Sequence, residues 1–109
     1  MLRTHASFMK EFEIYIPSRQ NDGTLVELAD IEFIKAKLTK AFGGFTHLLQ
    51  RNKGAWKMAG VTFHDDVTIM RVLDDGSVNF DMRDFKKSLE QTLKQDSILI
   101  VEREVQLVS

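Results

Sequence analysis

The stretch Phe42-Gly43-Gly44-Phe45-Thr46 constrains this chain more than any other. Ahead of it, apolar residues recur at helical spacing; behind it, they do not. A glycine accepts the left-handed backbone that commonly closes a helix, and a second glycine frees the chain to enter a strand. The junction therefore predicts a helix running into a strand. Eight residues later comes Gly54-Ala55-Trp56-Lys57, where that strand is expected to turn back.

The pattern on either side supplies the other elements. Phe12, Ile14 and Ile16 alternate with Glu11, Glu13 and Tyr15, which predicts a half-buried strand from Phe8 to Ile16. Pro17 ends it, because proline cannot donate to a ladder. Ser18 to Gly23 reads as a polar loop rich in turn formers. Ile31, Ile34, Leu38, Ala41 and Phe42 then fall on one helical face, with Asp30 the expected N-cap and Gly43 the C′ residue. A second strand is expected from Phe45 to about Arg51, with its end and a hairpin turn inside Asn52 to Gly60. Val61 to Leu73 reads as a third strand, bent at Asp65-Asp66. After the turn signal at Asp74 to Ser77, Met82, Phe85, Leu89 and Leu93 mark a second helix. Asn79 or Asp81 caps it, and Lys86, Lys87, Glu90 and Lys94 are expected to face water. Ile98 to Val108 is the last strand.

That order predicts an α+β fold of the ferredoxin-like βαββαβ type: a four-stranded antiparallel sheet, in the spatial order 4-1-3-2, with two helices on one face. Residues 1–109 form one domain, with 1–7 loosely held. The strands are apolar at both parities: Ile69 and Leu73 oppose Met70 and Val72, and Leu99 and Val101 oppose Ile98 and Ile100. A sheet face open to water should be polar. The expectation is therefore a homo-oligomer that associates through the sheet.

Several of these residues resemble a known group. Ile16, Pro17 and Gly23, the Phe42 to Thr46 junction, and Gly54 with Trp56 are similar to a set of short microbial proteins expected to be ferredoxin-like. The resemblance spans Phe12 to Val108. It departs after the tryptophan, where the group often has a glycine followed shortly by glutamate; here Gly60 is followed by His64-Asp65-Asp66. The resemblance implies a fold. It implies no activity and no catalytic residues.

Composition excludes several chemistries. With 15 basic and 16 acidic residues the net charge is −1, which argues against a dedicated duplex-DNA binder. There is no cysteine, so disulfide scaffolds, zinc ribbons and thiol nucleophiles are out. The longest apolar run, Ile98 to Val101, is far short of a membrane span, and no export signal is expected; the default is a cytoplasmic protein. No nucleophile elbow, phosphate loop or HExxH occurs. His64-Asp65-Asp66 with His47 is a poor metal site, because adjacent strand residues point to opposite faces. No metal and no cofactor are expected. Tyr15 is the only obvious candidate for the exposed aromatics on which an RNA-recognition sheet stacks bases.

What remains is one end of the predicted sheet. There the first loop, with Ser18, Arg19 and Gln20, approaches the hairpin bearing Arg51, Lys53, Trp56 and Lys57. An indole offers a stacking surface, and guanidinium and ammonium groups hold phosphate or carboxylate. Arg19, Arg51, Lys53, Trp56 and Lys57 are thus the candidate ligand-binding residues for an anionic or nucleotide-like small molecule; the bland alternative is a tryptophan that plugs the end of the core. The resulting expectation is a small, non-enzymatic binding module that self-associates and sequesters such a ligand. The alternatives are a small paired-sheet enzyme of the monooxygenase or isomerase type, with a pocket under its helices, or a pure protein–protein interaction module.

Overall fold

The computed structural model describes residues 8–58 and 61–108, with side chains except at 8, 51–58 and 61–65. The elements follow in the order β1 (Phe8–Pro17), α1 (Leu28–Phe42), β2 (Thr46–Met58), β3 (Val61–Asp74), α2 (Met82–Thr92) and β4 (Ile100–Gln106). The four strands form an α+β sheet in the order β2-β3-β1-β4, each neighbour antiparallel. Read from the opposite edge, this is 4-1-3-2.

Strand alternation divides the sheet into two faces. On the core face Phe12 pairs with Val72 and Ile14 with Met70, all at most 5% exposed. One buried cluster joins these residues to Ile34 and Leu38 of α1 and to Phe85 and Leu89 of α2. Fully burying such a side chain contributes about 1.5–3 kcal/mol. A ladder of rings, Phe12, Phe42, Phe80 and Phe85, runs along one end of this core; Phe42 and Phe80 meet edge-on at 5.0 Å.

The helix ends follow local chemistry, with one correction. Gly43 holds φ +81° and donates its N–H to Thr39, the left-handed closure expected of the glycine junction. Asp81 caps α2, its carboxylate accepting from the Asp84 N–H at 3.0 Å. At α1, however, Glu27 is the N-cap and Asp30 lies inside the first turn. The helix starts earlier because the Glu27 carbonyl already accepts from the Asp30 and Ile31 N–H groups; Asp30 then favours the helix by sitting at the positive end of its dipole.

The hairpin departs furthest from expectation. Gly54 and Trp56 do not lie at its turn: they sit within β2, opposite Asp65 and Phe63. The strand runs on because Trp56, Met58, Val61 and Phe63 keep the period-2 pattern past the glycine. The ladder passes through Asp65-Asp66 without a register shift. The irregularity falls in β2, where the register shifts between Leu48 and Asn52, so that three β2 residues face Thr68 alone. In α2, Glu90 does not simply face water: its carboxylate pairs with Lys86 and accepts the Ile98 N–H at 2.9 Å. This brings Ile98 into the core, 1% exposed, ahead of β4. The expectation for residues 1–7 lies outside the described residues. No helix among the described residues is long and apolar enough to cross a membrane.

Candidate functional site

Two loops, residues 18–26 and 93–99, meet at the end where β1 stops, beside β3. The Ser18 N–H and hydroxyl both donate to the Asp66 carbonyl, at 3.0 and 3.1 Å. Asn21 donates its N–H to the Lys94 carbonyl at 3.0 Å and its side-chain amide to Asp96. Gln95 donates to the Arg19 carbonyl at 2.6 Å. The Arg19 guanidinium turns inward on its own loop and donates to the Gly23 carbonyl at 2.8 Å.

The other candidates are spread along the hairpin. Lys53 pairs with Asp66, level with Ser18, while Trp56 pairs with Phe63 and Lys57 with Thr62. At about 3.3 Å per residue, Trp56 sits about 10 Å further out than Lys53. Lys53 and Lys57 occupy one parity of β2 and Trp56 the other; Arg51 falls in the irregular stretch. The side chains of Arg51, Lys53, Trp56 and Lys57 lie outside the described residues.

A second charged group stands on the outer face of the sheet. Register places Glu13 opposite Arg71 and Glu11 opposite Arg103. Arg71 Nη2 donates to Glu13 Oε2 at 2.9 Å, and Arg103 Nη1 donates to Glu13 Oε1 at 2.7 Å. Arg103 Nη1 also reaches Glu11 Oε1 at 3.2 Å. Glu13 is only 7% exposed, and a carboxylate that far from water needs such partners. Hydrogen bonds from Arg103 and then Arg71 hold its pKa below the usual 4.5. Arg71 Nε is buried with no hydrogen-bond partner among the described residues; Glu11 Oε1 is 3.6 Å away.

This cluster borders an open groove of about 670 Å³ at the end of the strands opposite the loops. Glu11, Arg71 and Leu73 line one side, and Gly43, Gly44 and Thr46 of the glycine junction another. The volume lies within the range of small-molecule sites. The groove thus combines backbone that can be approached closely, at the two glycines, with one carboxylate and one guanidinium.

The reading of residues alone missed this group. Its only signal was charge at odd positions of otherwise apolar strands, and Glu11 and Glu13 there look like an ordinary solvated face. Only the register shows that each faces an arginine.

His47 belongs to the core side. Its Nε2 lies 3.1 Å from the Thr68 hydroxyl, and its Nδ1 is buried without a partner among the described residues. Burial, reinforced by Lys35, holds its pKa below 6.5. His47 pairs with Met70 and His64 lies six residues further along β3, about 20 Å away, so the two do not meet at a metal.

No protein-family model matches this sequence, and no curated protein matches it. A solved structure does: a phage SAM lyase in complex with S-methyl-5'-thioadenosine, with a TM-score of 0.62 at 12% identity, covering 100% of this chain and 95% of that one. The likeness is one of fold, and it runs the whole of this chain and nearly all of the other. It corrects the expectation of a non-enzymatic module. A solved chain of this arrangement is a lyase, so the fold is one on which catalysis is built.

Proposed function

We propose that this chain is a small enzyme that binds a nucleoside-type ligand in the groove beside Glu11 and Arg71. The substrate class we propose is a sulfonium nucleoside of the S-adenosylmethionine kind: its C–S bond to the aminobutyrate moiety breaks, the electron pair leaves on sulfur as S-methyl-5'-thioadenosine, and the carboxylate oxygen of that moiety bonds to the freed carbon to close a lactone. The observation that carries the reading is the groove: about 670 Å³, with a carboxylate and a guanidinium together on one wall. Glu11 complements a sulfonium or ammonium cation, and Arg71 complements the carboxylate of an amino-acid moiety. The full-length likeness to a lyase that holds methylthioadenosine supports the choice of ligand. The fold reads as ferredoxin-like, with both helices over the core face; the single buried cluster shared by α1 and α2 supports this.

Incubation with S-adenosylmethionine, followed by chromatography of the products, tests the proposal. Methylthioadenosine should accumulate in proportion to enzyme. Arg71→Gln, in folded protein, should lower the rate tenfold or more, since a charged hydrogen bond contributes about 1.5–3 kcal/mol. No product, and no binding of methylthioadenosine by calorimetry, would overturn it.

A second reading keeps an anionic ligand at the loop end, with Arg19, Arg51, Lys53, Trp56 and Lys57. The meeting of the 18–26 loop with residues 94–96, level with Lys53, supports it. Lys53→Ala would then weaken nucleotide binding about tenfold while leaving turnover at the groove unchanged.

A further inference from the structure

Strands β2 and β3 outrun the rest of the sheet. β1 ends where Pro17 pairs with Val67, and Ser18 makes the last bond, to Asp66. Beyond that point, from Lys53–Asp66 to Met58–Val61, the two strands pair, among the described residues, only with each other. The resulting arm extends about 20 Å past the sheet. The molecule is correspondingly long, 56 × 30 × 26 Å, with a radius of gyration of 15.3 Å against about 13 Å for a compact chain of this size. An isolated two-stranded ribbon is marginal in water, and an arm of this kind gains stability from cover.

Register shows which side needs cover. Trp56 pairs with Phe63 and Met58 with Val61, all at one parity; Lys53 pairs with Asp66, Ala55 with His64 and Lys57 with Thr62, at the other. The arm is therefore amphipathic by position. Its apolar parity is that of Val67 and Ile69 on the outer face of the sheet. There Tyr15, Leu48, Ile69 and Val101 are half-buried and open to a partner, while Pro17 and Val67 are already buried within the single chain. One apolar stripe thus runs from the outer sheet face onto the arm, interrupted at Asn52, opposite Val67, and where Gly54 pairs with Asp65. The buried residues of α1 and α2 all belong to the core cluster on the other side.

We infer that a second copy of this chain covers the stripe, the arm of each copy lying along the outer sheet face of the other. One two-fold contact then covers both halves of the stripe at once, since arm and sheet surface each meet their counterpart. The outer face offers the partner's arm the patch of Tyr15, Leu48 and Ile69, which stops short of the Glu11–Arg71 groove. Charge points the same way. The chain has a net charge of −1, and the ionic groups on this face are paired internally, Glu11 and Glu13 with Arg71 and Arg103. A polyanion would find no basic excess here, whereas a neutral, self-complementary surface fits a copy of itself. The apolar stripe starts at the loop end and the Glu11–Arg71 groove lies at the other, so the inference does not rest on the proposed chemistry.

Sedimentation velocity of the wild type at micromolar concentration should give twice the 12.6 kDa of one chain. Trp56→Lys with Phe63→Lys should give the single-chain mass with an unchanged far-ultraviolet spectrum, and Thr62→Lys, at the opposite parity, should leave the dimer intact. Because the chain has no cysteine, Phe63→Cys combined with Ile69→Cys offers a check independent of those variants. The two sites are too far apart to bond within one chain, so oxidation should yield a covalent dimer. A wild type at 12.6 kDa, or a doubly substituted arm that keeps the dimer mass, would overturn the inference. So would a monomer that co-sediments with phosphatidylcholine vesicles, which would assign the stripe to a lipid surface.

Discussion

The two faces of this sheet are made by the same strands and differ in almost everything else. On the core face Ile14 and Met70 pair at 0% exposure, in a wholly apolar layer. One residue along, Glu13 pairs with Arg71 and sits 7% exposed inside a four-residue ionic group. The first face is held by burial, which is non-directional and insensitive to pH. The second is held by charge-assisted hydrogen bonds, which depend on geometry and on protonation. A sheet needs only one apolar face to fold. The other is free to carry polar groups at a cost, and here that cost is met beside a groove of ligand size.

The comparison breaks if the core face can be emptied without loss. Leu38→Ala, at a fully buried position, should destabilise by about 2–5 kcal/mol, read as a lower denaturant midpoint. Glu13→Gln should cost less, about 1–3 kcal/mol, because Arg71 and Arg103 remain partly open to water. A Glu13→Gln loss as large as that at Leu38 would mean that the outer face is core as well.

Acid titration sharpens the difference. The Glu13 pKa is lowered in the folded chain, so its stabilisation is fully present above the unfolded value near 4.5 and is lost as pH falls through the lower, folded value. Glu13→Gln should remove that acid limb. Gly43→Val should destabilise at all pH values by about 1–2 kcal/mol, since a β-branched residue resists φ +81°. His47 acts in a different window. Its folded pKa is lowered by burial, so the unfolded chain takes up a proton first and stability declines as pH falls below about 6.5. His47→Gln should flatten that shallow slope, the smallest of these effects.

The order of elements was legible because each carries its own period: Phe12-Ile14-Ile16 at two, Met82-Phe85-Leu89 at the helical repeat. The helix end at Gly43 was legible because only glycine adopts that backbone cheaply. What escaped depends on pairing between distant segments. Gly54-x-Trp56 resembles a turn locally, but Trp56 opposite Phe63 and Met58 opposite Val61 carry the ladder onward. The shift between Leu48 and Asn52 has no local mark at all. The Glu13–Arg71 pair joins residues 58 positions apart, and nothing near either one announces the other.

Function on the outer face is proposed for its Glu11–Arg71 end. Backbone amide chemical shifts during titration with S-methyl-5'-thioadenosine test it most directly. Saturable shifts are expected at Glu11, Gly44, Thr46 and Arg71, with the 18–26 loop unmoved. Shifts confined to that loop and to residues 94–96, or no shifts at all, would contradict it.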